Sequence, residues 1–342
     1  SHVSFRQSGF IPQKPAKTIT TKLGDCKDFS TLFVTLSKMA KLDANLVLIL
    51  TSDYGRKNLV LPSTDFNHCI VKVTINGKPQ FLELTDKYLP YKTLPVTLRG
   101  ATGLEIPFDA ESSTSDAKLF HLDEVNRLQS YVINDIQVDF NNDGMQLDIA
   151  SKLRGHNVSY YKSLLTDPNQ TVIENNILED YKGKLDEDFT LNSVSNIHIS
   201  KAEDLVAYQT DMDINKKLNS IGSIKIFQLP IVSHPYENSI IQLDKRAYPI
   251  DYVQYETVDN YSTTYTIKIG KDESFVEIPQ NLDLSYKKHS YSINYEEIQP
   301  NELKVTISCH TDYESILPKN YKEYKPYVKT ILEAQEAYIG FK

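Results

Sequence analysis

The 342-residue chain has no tryptophan, three cysteines, three methionines and no long run of apolar or basic residues. Each shortage closes a class of answer. Cys26, Cys69 and Cys309 are too few and too scattered for a disulfide framework, and no C-x-x-C pair suggests zinc or thioredoxin-like chemistry. The eight histidines show no H-x-x-x-H or H-E-x-x-H spacing, so neither a metal nor a cofactor is expected. Lys+Arg 37 against Asp+Glu 45 leaves a net charge of −8 and no basic stretch to neutralise phosphates, which makes nucleic acid an unexpected partner. Apolar runs such as "NLVLIL" stop far short of the roughly 20 residues that cross a bilayer. The opening "SHVSF" has neither an initiator Met nor the apolar core of a signal peptide, as in a chain trimmed at its start.

What is present points to sheet. Twenty-two tyrosines, with many Asn, Ser and Thr, suit strands that have one wet face. The length allows two or three domains, each with a full core. From Asp28 the apolar residues Phe29, Leu32, Phe33, Leu36, Met39 and Ala40 recur at helical spacing, which predicts a helix from 26 to about 41 that buries that face. The strands "LVLILTS" and "HCIVKVTI" follow. Asn76-Gly77 then signals a hairpin that returns through "PQFLELTD". The polar, aperiodic "FDAESSTSDAK" (108–118) reads as a linker after an α+β domain of residues 1–107.

Beyond the linker, short strands recur with turn residues between them. Residues 119–342 are therefore expected to be β-sandwich-rich, with two sandwiches (119–215 and 216–316), a helical stretch within 157–183 and a C-terminal helix within 318–338. In that last helix Tyr321, Tyr324, Val328 and Ile331 share a face despite Pro326. "DFNNDG" (139–144) begins like a calcium loop, but its twelfth position is Ala150 where a bidentate Glu is required, so a hairpin turn accounts for it better. Cys309 and His310 are adjacent on one strand and point to opposite faces, so they cannot pair with each other. Nothing in 109–342 gathers a nucleophile and a base, and that region reads as scaffold or recognition surface.

The chemistry concentrates in "LGDCKDFS" (23–30). A cysteine in the first turn of a helix faces unpaired N–H groups and the positive end of the macrodipole, which favour thiolate over thiol. Gly24 would leave room for a substrate backbone, and the Cys26 N–H is placed to stabilise an oxyanion. His68 begins a strand and can act as base, and Asp86, at the far end of the returning strand, could hold its imidazole in the right tautomer. Cys69, next to His68, should point away from the site and lie in the core. This requires an unusual register. Across a plain two-residue turn position 68 faces 85 and Asp86 points to the other side, so a three-residue loop or a bulge is expected in the hairpin.

These segments resemble the transglutaminase-like superfamily of papain-type thiol enzymes: "KLGDCKDFSTLFVTL" is similar to its cysteine helix, "DFNHCIVKV" to its histidine strand and "FLELTDKYLPY" to its aspartate strand. More narrowly, residues 1–107 resemble a bacterial group, often exported, whose thiol domain lies between β-rich domains. The resemblance implies a papain-like cysteine helix packed on an antiparallel sheet, with Cys26 as nucleophile, His68 as base and Asp86 as orienting group. It further implies attack on a peptide or carboxamide carbonyl through a thioester, by hydrolysis or acyl transfer, with a periplasmic or cell-envelope location. Gln7 stands roughly where relatives place a polar side chain near the oxyanion hole. Some members have lost catalysis and serve as binding modules, and a cell-envelope scaffold is the alternative. Because papain-type domains build one cleft wall from helices before the cysteine, and "FIPQKPAKTITT" is broken by proline and β-branched residues, a missing upstream domain is expected. Cys26 should then sit in an open groove beside an exposed apolar patch.

Overall fold

The computed structural model describes residues 11–54, 65–91, 93–107, 119–122, 129–141, 144–155, 157–200, 204–233, 236–251, 258–312 and 314–342. The chain divides into two compact units, Ser1–Leu128 and Gln129–Lys342. The linker expected at 108–118 lies outside the described residues.

The first unit opens with α1 (Pro15–Thr21), set by Pro15 at its first position. A helix therefore forms in a stretch whose prolines and β-branched residues argue against one. Helix α2 (Cys26–Met39) comes next. The strands β1 (Asp43–Leu50), β2 (His68–Ile75), β3 (Lys78–Leu82), β4 (Thr102–Ile106) and β5 (Leu119–His121) make one sheet in the order β3-β2-β1-β4-β5. Residues 119–121 thus belong to this sheet and not to the region expected after the linker. One face packs Val71, Val73 and Ala44 against Val34 of α2. The other packs Val47, Ile49, Ile70 and Phe81 against Leu98, Ala101 and Leu122.

Helix α2 buries its expected face only in part: Phe33 packs on the sheet beside Val34, while the far end of the apolar stripe is exposed. Leu36 and Met39 are 48% and 78% exposed, whereas Ser30, Val34 and Ser37 are buried at 0%, 0% and 4%. Small residues let the helix approach the sheet closely, and the Ser30 hydroxyl donates to the Cys69 carbonyl at 3.2 Å. Apolar periodicity marked the helix but only part of the face it buries.

The second unit holds β6 (Tyr131–Phe140), β7 (Met145–Arg154), α3 (Val158–Leu165), α4 (Gln170–Lys182), β8 (Phe189–Ile199), β9 (Leu205–Ile214), β10 (Asn219–Ile221) and β11 (Ile224–Gln228). After these come the short α5 (Asn238–Ile241), β12 (Asn260–Lys268), β13 (Phe275–Glu277), β14 (Leu282–Tyr286), β15 (His289–Gln299), β16 (Glu302–His310), α6 (Tyr321–Gln335) and β17 (Tyr338–Phe341). The two sandwiches expected at 119–215 and 216–316 do not form. One eight-stranded sheet, β14-β15-β16-β12-β6-β7-β9-β8, draws strands from both halves, and β6 runs parallel to β12 at its middle. Inward residues such as Ile136, Ile149, Met212, Tyr265 and Val305 line one buried face. Helices α3, α4 and α6 join the same core as the smaller sheet β10-β11-β17-β13. Tyr321, Tyr324, Val328 and Ile331 are all at most 2% exposed, as their shared face implied. Strands β6 and β7 pair antiparallel up to Phe140 and Met145, and the Gly144 N–H donates to the Asn141 side chain at 2.8 Å. No described helix is long and apolar enough to cross a membrane.

Candidate active site

Cys26 is the first residue of α2, and the helix starts there because Asp25 caps it. The Asp25 carboxylate accepts the N–H groups of Lys27 and Asp28, while the Asp28 carboxylate accepts the Asp25 N–H at 3.0 Å, a reciprocal capping box. Asp28 also accepts the Gln13 N–H at 2.8 Å and the Gln13 side-chain amide at 2.7 Å, tying the chain before α1 to the start of α2. Burial works against the Asp28 charge, but the Gln13 and Asp25 donors outweigh it and hold the carboxyl below its ordinary value. The Cys26 N–H is not among the groups the cap consumes, which leaves it available to an oxyanion. The Lys27 ammonium, on a residue 5% exposed, is paired with the Asp25 carboxylate.

Two expectations about this turn need correction. A Cβ on Gly24 would stand 2.8 Å from the Asp28 Cβ and 3.4 Å from the Thr18 Cγ2, so the space expected for a substrate is filled by the cap itself. Cys26 is 7% exposed and does not lie in an open groove.

His68 opens β2. Strand alternation puts it on the face of Ile70, while α2 packs on the face of Val71 and Val73, so the two elements meet where the strand begins. The His68 Nε2 is paired with Oε2 of Glu83, and the ring lies near enough to Cys26 for the sulfur to bear on its charge. Burial opposes a charge on the ring. The hydrogen bonds and negative charges of Cys26 and Glu83 overcome that opposition and push His68 up to about 10. The ring is therefore an imidazolium at neutral pH. Glu83, with its side chain 1% exposed, is held below its ordinary value: burial raises it, but His68 and the Thr85 donors more than compensate.

Asp86 is not the partner of His68. The hairpin is a plain two-residue turn, with Asn76 and Gly77 both at positive φ (51° and 72°) and a regular ladder from Ile75↔Lys78 to Val71↔Leu82. Counting on from the last pair sets Glu83 opposite Ile70 and therefore on the face of His68, and Asp86 on the other face. The loop or bulge expected here is absent, and the Asp86 carboxylate accepts the Tyr88 N–H at 2.9 Å. Glu83 was the missed residue, and the Asn-Gly turn followed by strict alternation was the signal that could have found it.

Cys69 is 2% exposed, as expected of a core residue, yet it is near enough to Cys26 that the sulfur's charge adds to burial in pushing its thiol up to about 12. Cys309 is buried in β16 beside the half-buried His310. Gln7 lies outside the described residues. Among the described residues no group of three or more His, Cys, Asp or Glu is placed to hold a metal ion.

Residues 1–82 match the family model described as the transglutaminase-like superfamily. The match covers the cysteine helix and the histidine strand and ends one residue before Glu83. No curated protein matches the chain. A solved structure described as "a putative protease from Parabacteroides distasonis" aligns with 9% identity and a TM-score of 0.46. The alignment covers all of this chain and 48% of the other, so the chain spans about half that protein's length.

Proposed function

We propose that the first unit is a cysteine-dependent acyl-transfer site acting on peptide or carboxamide carbonyls. The observation that carries this reading is the His68 ring paired with the buried Glu83 carboxylate and near enough to Cys26 for the sulfur to bear on its charge. The Cys26 thiolate attacks the carbonyl carbon and the Cys26 N–H receives the developing oxyanion. The His68 imidazolium then gives its proton to the departing nitrogen, leaving a thioester on Cys26 and a neutral imidazole. That imidazole next takes a proton from water or from an incoming amine, the acyl group leaves as acid or new amide, and thiolate and imidazolium are restored. Glu83 orients the ring and stabilises its charge throughout, as a triad carboxylate does. The second unit serves as scaffold or recognition surface.

Labelling with an electrophilic peptide amide, in wild type, Cys26→Ala and His68→Ala, tests the assignment, and product analysis with and without added amines separates hydrolysis from transfer. Labelling that persists in Cys26→Ala sinks the reading. Biological activity intact in Cys26→Ala would favour the binding-scaffold alternative.

A further inference from the structure

Glu83 lies one residue past the end of β3, without a ladder to hold its backbone, and yet its carboxylate is buried and aimed at a histidine. Something other than the sheet must fix its rotation. Its two oxygens are divided: Oε2 meets His68, while Oε1 accepts the Thr85 N–H at 2.6 Å and the Thr85 hydroxyl. Thr85 is itself exposed and on the solvent side of this arrangement. With one oxygen held twice by the same residue, turning the carboxylate plane about its last bond would break both Thr85 hydrogen bonds together with the His68 contact, so the Thr85 grip holds the plane in which the other oxygen meets the ring.

We infer that Thr85 is the positioning residue of the site, its hydroxyl and N–H gripping one oxygen of Glu83 so that the other stays on the His68 ring. Its consequence for catalysis rests on the reading of Cys26 and His68 as the reacting pair, whereas its effect on the His68 ring does not. The hydroxyl is the separable half of the grip, since side-chain replacement removes it and leaves the N–H. Serine keeps the grip and valine keeps only the shape.

The test is an NMR titration of the His68 ring in the full chain, with its resonance assigned by its loss in His68→Gln. Thr85→Val is expected to lower the midpoint from near 10 by about one unit, the tenfold effect of one charge-assisted hydrogen bond, and Thr85→Ser to restore it. A midpoint in Thr85→Val equal to that of wild type overturns the inference, as does a Thr85→Ser midpoint as low as that of Thr85→Val. Should the valine variant not fold, Thr85→Ala decides by the same titration. If alkylation of Cys26 proves indifferent to His68→Ala while the Thr85→Val midpoint moves, the thiol-enzyme reading fails and the positioning of the histidine stands.

Discussion

A histidine pushed up to about 10 in a site 19% exposed at its side chain has two measurable consequences. The first concerns reactivity. With an imidazolium near its sulfur, Cys26 is expected to be alkylated by iodoacetamide at pH 6.5, and His68→Ala to slow that reaction about tenfold or more. The second concerns linkage. Because the folded value of His68 exceeds its ordinary 6.5, its stabilising contribution is complete below pH 6.5 and is lost as pH rises towards 10. Glu83, held below its ordinary 4.5, contributes above that pH and loses its contribution as pH falls through its folded value. Thermal unfolding of the full chain across pH should show both limbs, with the alkaline limb flattened in His68→Gln. The helix start at Cys26 and the strand start at His68 were legible in the sequence because both are local signals. The carboxylate was not, because a parity of one residue in the hairpin decides which acid shares the face of His68, and Asp86 was the more conspicuous acid.

At the scale of the element, α2 departs in part from the usual reading of an amphipathic helix. Its apolar residues located it within about two residues of its observed end, since helical spacing persists whichever side they face. The side against the sheet is that of the buried Ser30, Val34 and Ser37, with Phe33 packed at its margin. Met39→Lys is therefore expected to change stability by no more than about 0.5 kcal/mol. Ser37→Leu, though a gain in hydrophobicity, should cost about 1–3 kcal/mol through overpacking. Gly24→Ala should cost a similar amount, about 1–3 kcal/mol, by forcing the Asp28 side chain off the cap. Urea denaturation of these three variants checks the ordering, and a destabilising Met39→Lys would show that this face is covered in solution.

At the scale of the molecule, the second unit is one compact body, with an eight-stranded sheet in place of the two sandwiches that strand spacing suggested. Spacing shows how many strands there are but not which ones pair across a long separation. The parallel pairing of β6 with β12 joins residues 129 positions apart, including Ser130, whose N–H donates to the Asp259 carboxylate at 2.7 Å. A chain cut between residues 215 and 216 should therefore yield halves that do not fold separately, as judged by circular dichroism and proteolysis. The same body carries an acid-sensitive point. His289, 2% exposed among Tyr286 and Tyr324, is driven down to about 4 by burial, and its Nδ1 accepts the Asp312 N–H at 3.2 Å. Its folded value lies below its ordinary 6.5, so the stability it contributes as a neutral ring is present above pH 6.5 and is lost as pH falls towards 4. His289→Phe should remove that slope from the unfolding of the second unit.

The parallel pairing at the centre of the eight-stranded sheet also governs the order of events during synthesis. The strands β6, β7, β9 and β8 are neighbours in sequence and pair antiparallel, so they can assemble as soon as they leave the ribosome. Their inner edge, β6, then waits with its backbone groups unpaired until β12 is made. At about 5–20 residues per second that interval is several seconds for the intervening chain, long enough for a nascent sheet edge to meet another copy on the same polysome. Yield on expression should accordingly depend on translation speed and on chaperones that shield extended edges, even for variants whose final stability is unchanged.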